Sequence, residues 1–312
     1  MRKPHMRGTG LALLALWAGP APAQFGQKPG EAAVYLLTSK GDQTFVPVSA
    51  ATANAPAAAA KFQVLDPFKL TPETVANYDL PMLKIIFMHR EKDDVFQMIV
   101  QDDTGPFPHH VYLTTFKMFV IKGVRRDYGY SWEAPRDFTA GSYTTFLGYA
   151  DLGPNLSMDG ELHVLGWTNN DFKPPLVLTP DNFPGSTVPV GKTGTELVVD
   201  FAVLPPFVPW TPLRLKYPGA GWEDGIDYKF LEADTGRGCV AAQLRLKPGK
   251  RTTNFRIRGN THFYVLHGPL TLTPAGGGQP IVLGSNTYVY IPDGYAFSLA
   301  NPRSTLLGVG QP

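Results

Sequence analysis

The sequence has 312 residues, of which 28 are Lys or Arg and 26 are Asp or Glu, so its formal net charge at pH 7 is +2. This balance argues against nucleic acid as a partner, because chains that bind nucleic acid concentrate positive charge against the phosphates. A single cysteine, Cys239, excludes an intramolecular disulfide. Stability must therefore come from core burial, which a chain of this length can achieve in two domains.

The first 23 residues have the pattern of a signal peptide that is removed on export. Arg2, Lys3 and Arg7 precede the apolar run LALLALW, and the small-residue stretch APA ends at Ala23. The apolar run is shorter than the ~20 residues that span a bilayer, so no membrane anchor is expected. The sequence therefore predicts a periplasmic or secreted protein, cleaved after Ala23.

Beyond this segment the chain is a series of short β-type runs. Runs rich in Val, Tyr, Phe, Thr and Leu, such as AAVYLL, FQMIV, HFYVL and NTYVYI, are separated by Gly, Pro, Asn and Asp. This pattern is typical of an all-β sandwich or barrel. We place an N-terminal arm with an Ala-rich linker at 24–60, a first β domain at 61–170, a Pro-rich connection at 171–221 and a second β domain at 222–312.

Two pairs of runs indicate an internal duplication. FKMFVIKG ends at Gly123 and GSYTTFLGY begins at Gly141, while THFYVLHG ends at Gly268 and GSNTYVYIP begins at Gly284. The spacings between the paired glycines are 18 and 16 residues, which is nearly equal. Because a duplication determines architecture more firmly than local propensity does, we expect two related β units.

The second of these units resembles the cupin superfamily. The stretch KPGKRTTNFRIRGNTHFYVLHGPL is similar to the first cupin motif. GSNTYVYIPDGYAFSLAN is similar to the second motif, G-x5-P-x-G-x2-H-x3-N, with Pro292, Gly294 and Asn301 at its P, G and N. The first Gly of that motif is replaced by Asn286, and in the first unit Leu147 stands where P is expected. The resemblance implies an all-β bicupin, with two cupin-like jelly-roll antiparallel β-barrel domains.

Many cupins hold a metal ion inside the barrel with three His and one Glu. The resemblance assigns these ligand positions to His110, Tyr112, Phe116 and Leu152 in the first unit, and to Phe255, Ile257, Thr261 and Phe297 in the second. One of these eight residues is a competent ligand, whereas a divalent ion needs several converging N, O or S donors. We therefore predict that the barrels are kept with degenerate metal sites and no cofactor, His110 being the one remaining metal candidate.

The four positions of the second unit lead to two alternatives. Phe255, Ile257 and Phe297 would converge inside the second barrel with Thr261. Such side chains contribute about 1.5 to 3 kcal/mol each when they are buried. They either fill the barrel as core or line a dry pocket, in which case these four residues bind a small apolar molecule.

His110 and Tyr112 are the candidate catalytic residues. On one strand they would both face the interior of the first barrel, and an imidazole beside a phenol could perform metal-free acid/base chemistry, as in cupin-type sugar isomerases. The alternative is a hydrogen-bonded polar pair at the mouth of the barrel. His163 or Glu161, on a later strand, could complete a site with His110.

Two other histidines are expected to lie outside the barrels. His89, in FMHREKDD, ends an apolar run with polar residues, which predicts a surface position. His262 has the opposite alternation to Thr261 and Phe263, which predicts that it points outward.

The sequence as a whole favours an exported bicupin that binds a small molecule or has a structural role, rather than an enzyme. Two alternatives remain: a metal-dependent oxygenase or isomerase, and a metal-free isomerase using His110 and Tyr112. Exposed strand edges are compatible with a homodimer. The identity of the ligand cannot be predicted from the sequence.

Overall fold

The computed structural model describes residues 28–39, 45–48, 63–73, 82–108, 110–112, 114–128, 135–146, 151–152, 154–168, 176–177, 201–203, 208–216, 222–234 and 239–302. The predicted signal peptide, the Ala-rich run at 50–60 and most of the Pro-rich connection lie outside these residues. Within them, no helix is long and apolar enough to cross a membrane.

The described chain is almost entirely β-strand, as predicted. Its strands are β1 (Ala32–Ser39), β2 (Phe45–Pro47), β3 (Gln63–Leu65), β4 (Leu83–Glu91), β5 (Asp94–Gln101), β6 (His110–Val111), β7 (Phe116–Lys122), β8 (Val124–Asp127), β9 (Arg136–Thr139), β10 (Tyr143–Phe146), β11 (Asp151–Leu152), β12 (Asn155–Ser157), β13 (Leu162–Thr168), β14 (Leu176–Val177), β15 (Phe201–Val203), β16 (Thr211–Pro212), β17 (Ile226–Asp234), β18 (Cys239–Leu246), β19 (Phe255–Ile257), β20 (Asn260–His267), β21 (Leu270–Pro274), β22 (Ile281–Leu283), β23 (Tyr288–Ile291) and β24 (Ala296–Ala300). A 3-10 turn spans Pro67–Lys69 and a short helix, α1, spans Leu213–Lys216.

The first barrel consists of strands β4 to β15. A six-stranded sheet has the order β15-β10-β7-β13-β5-β4, and it faces two three-stranded sheets, β11-β6-β14 and β12-β8-β9. A buried cluster lies between them, to which β7 contributes Phe116, Met118 and Val120 and β9 contributes Phe138. The alternate residues of β7 therefore point into this barrel.

The second barrel consists of β1 to β3 and β16 to β24. Its seven-stranded sheet has the order β16-β17-β18-β1-β20-β23-β3, and its five-stranded sheet has the order β2-β19-β24-β21-β22. The core between the two sheets is apolar, with Phe263 and Val265 from β20 and Phe255 and Phe297 from the other sheet.

The N-terminal arm belongs to the second barrel. Strand β1 lies in the middle of the seven-stranded sheet, between β18 and β20, and β2 pairs with β19. All eight residues of β1 are buried because both of its faces are covered. The sequence interpretation had separated this segment from the second domain, since no local pattern shows which distant strands flank it.

The two barrels pack through the outer faces of their larger sheets. Tyr35 and Leu37 of β1 meet Phe119 and Ile121 of β7 in one buried cluster, which we call the interbarrel layer. The rings of Tyr35 and Phe119 stack with their centroids 4.4 Å apart. The duplicated runs are equivalent here: β7 pairs with β10, and β20 pairs with β23.

Candidate functional site

Several buried polar side chains lie in the interior of the first barrel, and some of their atoms have no hydrogen-bond partner. On β5, Phe96 and Met98 point into the interbarrel layer. Because side chains alternate along a strand, Gln97 and Ile99 point the other way, and Ile99 packs against the core of the first barrel. Strand β5 thus places the polar side chain of Gln97 in this interior, next to the apolar Ile99.

Gln97 is the least satisfied of these polar groups. It is 1% exposed, and neither its Nε2 nor its Oε1 has a hydrogen-bond partner. Its neighbour across the sheet is Gly166 of β13. The ring of Phe116 covers that glycine so closely that a Cβ there would lie 2.5 Å from the Phe116 Cζ. A buried amide left unpaired costs about 1 to 3 kcal/mol per group, so this position calls for a partner.

Arg125 and Asp127 bring a charged pair into the same interior. Arg125 Nη2 donates to Asp127 Oδ2 at 2.6 Å, and Arg125 Nη1 donates to Met118 Sδ at 2.9 Å. Arg125 Nε is buried without a partner, and the guanidinium carbon lies 5.7 Å from the centre of the Phe146 ring. Met118 pairs with Gly166, which in turn pairs with Gln97. The Cα atoms of Met118 and Gln97 are therefore about 10 Å apart, so the side chains of Gln97 and Arg125 lie in neighbouring parts of this interior.

The predicted catalytic pair lies in this interior too. His110 is fully buried, Tyr112 is 6% exposed, and their ring centroids are 5.2 Å apart in an edge-on arrangement. His110 Nδ1 lies 2.8 Å from the carbonyl oxygen of Pro108. Since a carbonyl only accepts, Nδ1 carries the hydrogen, and Nε2 is the basic nitrogen of the neutral ring. Tyr112 also stacks on Phe116, with ring centroids 4.4 Å apart.

The predicted ligand-binding residues of the second barrel also converge, but on one another. The rings of Phe255 and Phe297 lie 4.5 Å apart between centroids, and Ile257 belongs to the same apolar cluster. Thr261 Oγ1 is 3.2 Å from Thr38 Oγ1, so its hydroxyl is satisfied inside the protein. The packing is that of a core, and the binding of an apolar molecule by these residues stays a prediction.

The side chains at the cupin metal positions do not form a suitable donor set. In the first barrel the ring of His110 lies beside that of Tyr112, which stacks on Phe116, and the backbone of His110 pairs with that of Leu152. In the second barrel the equivalent positions carry carbon side chains and one threonine. Among the residues that the structure describes, no three His, Cys, Asp or Glu side chains converge in a way that could hold a metal ion. One imidazole with a phenol does not fit the needs of a divalent cation.

A second group of buried polar side chains, centred on Asp94, lies in the interbarrel layer. Asp94 of the first barrel accepts hydrogen bonds from Ser39, Trp167 and His262 at 2.7 to 2.8 Å. Burial by itself would raise the pKa of Asp94, but the charge and hydrogen bond of His262 and the other two donors hold it well below its usual range. His262 Nδ1 contacts the Tyr288 hydroxyl at 2.8 Å. This network joins the two barrels through buried polar contacts.

The predictions for His262 and His89 need correction. His262 does point out of the second barrel, but the first barrel covers that face, so the ring is fully buried. The surface position predicted for His89 is wrong: it is 6% exposed and stacks on Tyr290 with centroids 4.1 Å apart. A β-bulge between Phe87 and His89 shifts the alternation and turns His89 inward. Burial and repulsion from His262 lower the pKa of His89 to about 4.

His163 and Glu161 do not complete a site with His110. His163 Nε2 contacts the Glu161 carboxylate, and its ring lies 5.6 Å from that of Phe68 between centroids. Burial lowers the pKa of His163 despite the Glu161 contact. The pair therefore forms a separate, half-exposed contact.

Sequence analysis did not single out Gln97, Arg125 and Asp127, the buried polar residues that the structure places in this interior. A signal for each was present. Gln97 interrupts the apolar run FQMIV, and Arg125 and Asp127 are two apart in a strand, which places both on one face.

Comparison with known proteins supports the fold. The chain matches no protein-family model and no curated protein sequence. Among solved structures, it is similar to oxalate decarboxylase from Lactobacillus farciminis, with a TM-score of 0.56, 11% identity, and coverage of 80% of this chain and 85% of that one. Oxalate decarboxylase from Bacillus subtilis matches with a TM-score of 0.52, 11% identity, and coverage of 80% and 76%.

A further similar structure is a protein provisionally assigned as a dioxygenase, from Nostoc punctiforme. It matches with a TM-score of 0.55 and 15% identity over 78% of this chain and 79% of that one. Identities this low carry the fold and not the activity. These neighbours are cupin-fold proteins, several of them two-domain, and the chain therefore has the two-domain cupin fold that its motifs predicted.

Proposed function

We propose that this two-domain cupin-fold protein is exported and binds a small molecule inside its first barrel. The observation that carries the proposal is the side chain of Gln97, which is 1% exposed with both amide atoms unpaired. Native proteins rarely leave such a group without a partner, because the loss of hydration is not repaid. A bound molecule that pairs with the amide accounts for it.

Each barrel leaves buried polar atoms unpaired, but within the described residues the second leaves a lone donor, Trp222 Nε1, whereas the first leaves a donor and an acceptor on one side chain, Gln97. In the first barrel Arg125 Nε, like Gln97, is buried without a partner. In the second, Thr261 is paired with Thr38 and the rings of Phe255 and Phe297 pack together. Small-molecule sites combine apolar walls with a few polar groups that fix orientation, and the first barrel offers both.

The proposal can be tested with NMR on the mature protein. A mixture of benzamide, benzoate and benzyl alcohol is added while the side-chain amide signals of Gln97 and the methyl signals of Ile257 are followed. We expect the Gln97 signals to move and those of Ile257, in the second barrel, to stay. In parallel, protein purified without denaturation is extracted and the extract examined by mass spectrometry for a co-purified molecule. If no probe moves Gln97 and nothing co-purifies, the proposal is wrong.

A second candidate function is metal-free acid/base catalysis by His110 and Tyr112. The specific observation in its favour is that the ring of His110 lies 5.2 Å from that of Tyr112, with Nε2 as its basic nitrogen. An isomerase of this type exchanges a carbon-bound hydrogen of its substrate with solvent. Incubation with a panel of reducing sugars in heavy water should then give deuterium incorporation that His110→Gln abolishes. Equal incorporation by both proteins, or none, removes this candidate.

Metal dependence is the remaining alternative, and the proposal is that the protein functions without a metal. Only His110 stands as a ligand at the eight cupin positions, which argues for this view. Metal analysis of the mature protein, purified without chelators, should find less than about one tenth of an equivalent of Mn, Fe, Ni or Zn. A stoichiometric metal that is lost in His110→Ala would favour the oxygenase or isomerase class instead.

A further inference from the structure

We infer that the ligand of the first barrel is a neutral molecule with a carboxamide-like edge, meaning a hydrogen-bond donor and an acceptor side by side, on a flat apolar body. This inference rests on the proposed function and narrows it to a ligand class. It follows from the chemistry of Gln97, from the charge balance of Arg125, and from the rings around them.

Gln97 presents both a donor and an acceptor in the interior of the first barrel. Its Nε2 and its Oε1 are each buried and unpaired. A partner that satisfies both must offer an acceptor and a donor at the same spacing. A carboxamide does so through two parallel hydrogen bonds. One hydroxyl oxygen meets only one of the two atoms with good geometry, and a carboxylate, which only accepts, leaves Oε1 unpaired.

The positive charge of Arg125 is already balanced and does not require an anionic ligand. Its Nη2 donates to Asp127 Oδ2 at 2.6 Å, and both residues are buried, with exposures of 4% and 0%. They are the buried charges of this interior among the residues that the structure describes. Because they balance, an added carboxylate would leave a net negative charge away from water, which is costly. Arg125 Nε can donate one more hydrogen bond, and a neutral carbonyl oxygen accepts it without this penalty.

Aromatic rings lie close to both polar groups. Phe116 lies over Gly166, the sheet neighbour of Gln97, and Phe146 lies beside the Arg125 guanidinium. Tyr112 stacks on Phe116 with the two planes within 1° of parallel. Flat faces of this kind pack best against a planar group, so an aromatic or otherwise flat amide suits them.

The test is a comparison of three probes that share one ring. Benzamide, benzoate and benzyl alcohol are titrated separately into the mature protein at pH 7.5, with calorimetry for affinity and the Gln97 amide signals for location. Benzamide is expected to bind at least about tenfold more tightly than either of the others. The preference should disappear in Gln97→Leu, which has a similar size but no amide. Thr261→Val, a matched loss of a polar group in the second barrel, should keep it.

The possible results distinguish a failure of this inference from a failure of the proposed small-molecule binding. If benzoate or benzyl alcohol moves the Gln97 signals and binds as tightly as benzamide, the carboxamide inference is wrong while small-molecule binding in the first barrel stands. If Gln97→Leu keeps the preference for benzamide, Gln97 is not the recognising group and the inference is again wrong. If none of the three probes moves the Gln97 signals and extraction yields no molecule, Gln97 has no ligand. Both the inference and the proposed function are then wrong.

Discussion

The two barrels share a fold, but they differ in which polar side chains are buried in their interiors. The second barrel encloses aromatic and aliphatic side chains, its buried Thr261 hydroxyl is paired with Thr38, and the indole nitrogen of Trp222 in its core has no partner. The first barrel places Gln97 and Arg125 among aromatic rings and leaves hydrogen-bonding atoms of both unpaired. Two copies of a duplicated unit can therefore keep the same fold with interiors of different polarity. The difference predicts opposite responses to similar substitutions in the two interiors.

The largest expected effect is in the second barrel. Phe255→Ala should lower the free energy of unfolding by about 3 to 5 kcal/mol, because it removes a fully buried ring from contact with Phe297 and leaves a cavity. Urea unfolding of the purified variant measures it. A loss below about 1 kcal/mol, together with a changed affinity for an apolar probe such as toluene, would show instead that these residues line a pocket.

The next effect concerns the layer between the barrels and depends on pH. The pKa of His89 is lowered to about 4 from an ordinary 6.5, so between these values the unfolded chain binds a proton that the folded protein does not. Stability is then complete above pH 6.5 and falls as the pH drops towards 4. At about 1.4 kcal/mol per pH unit, the loss from His89 is about 3 kcal/mol.

Unfolding curves between pH 7.5 and 4 measure this loss, and His89→Gln serves as the control. The groups that face His89 are Glu91 and Asp94 of the first barrel and His262 and Tyr290 of the second. Asp94, with its depressed pKa, stays ionised in this range. His163 adds a loss of the same sign, so the difference between wild type and His89→Gln is the quantity to compare. Identical slopes for the two proteins would contradict the burial of a neutral His89.

A smaller effect of opposite sign is expected for Gln97 in the first barrel. Gln97→Leu should raise the free energy of unfolding by about 1 to 3 kcal/mol in the absence of ligand, because it removes an amide that is buried without partners. Thermal and urea unfolding both report it. Destabilisation by Gln97→Leu would mean that the amide is already satisfied in the free protein.

The smallest effect belongs to the matched residue of the second barrel. Thr261→Val should cost about 0.5 to 1.5 kcal/mol, since its hydroxyl is paired with that of Thr38. The double variant Thr38→Val, Thr261→Val should recover part of this loss, because no unpaired hydroxyl remains. A double-mutant cycle of unfolding free energies checks both values. If Thr261→Val alone raised the free energy of unfolding, the predicted difference between Thr261 and Gln97 would be wrong.

Much of the fold could be read from the sequence, because it depends on local patterns. Alternating apolar runs with Gly and Pro between them gave the strands, and the repeated runs gave β7 with β10 and β20 with β23 as equivalent pairs. The convergence of His110 with Tyr112, and of Phe255 with Phe297, was also foreseen from motif spacing. The N-terminal strand β1 was not placed, since its pairing with β18 and β20 spans more than 200 residues.

The polar chemistry was harder to predict, for reasons that His89 and Gln97 illustrate. His89 lies beside a bulge that reverses its direction, and a bulge of one residue leaves no mark in the pattern of a polar strand end. Gln97 was visible as a polar residue in an apolar run. That it lacks a partner depends on every side chain around it, which alternation alone does not supply.

The sequence by itself determined the all-β class and the duplicated cupin motifs, and it led to the prediction of degenerate metal positions, because each depends on residue type and short-range spacing. Tertiary structure alone decided that the outer faces of two sheets meet, so that His262 and Asp94 are buried together, and that Gln97 and Arg125 share one interior. These relations join residues far apart in the chain. Such contacts form only when the sheets pack and exclude water. A polar side chain that is buried in this way is either held by a hydrogen bond or left without a partner.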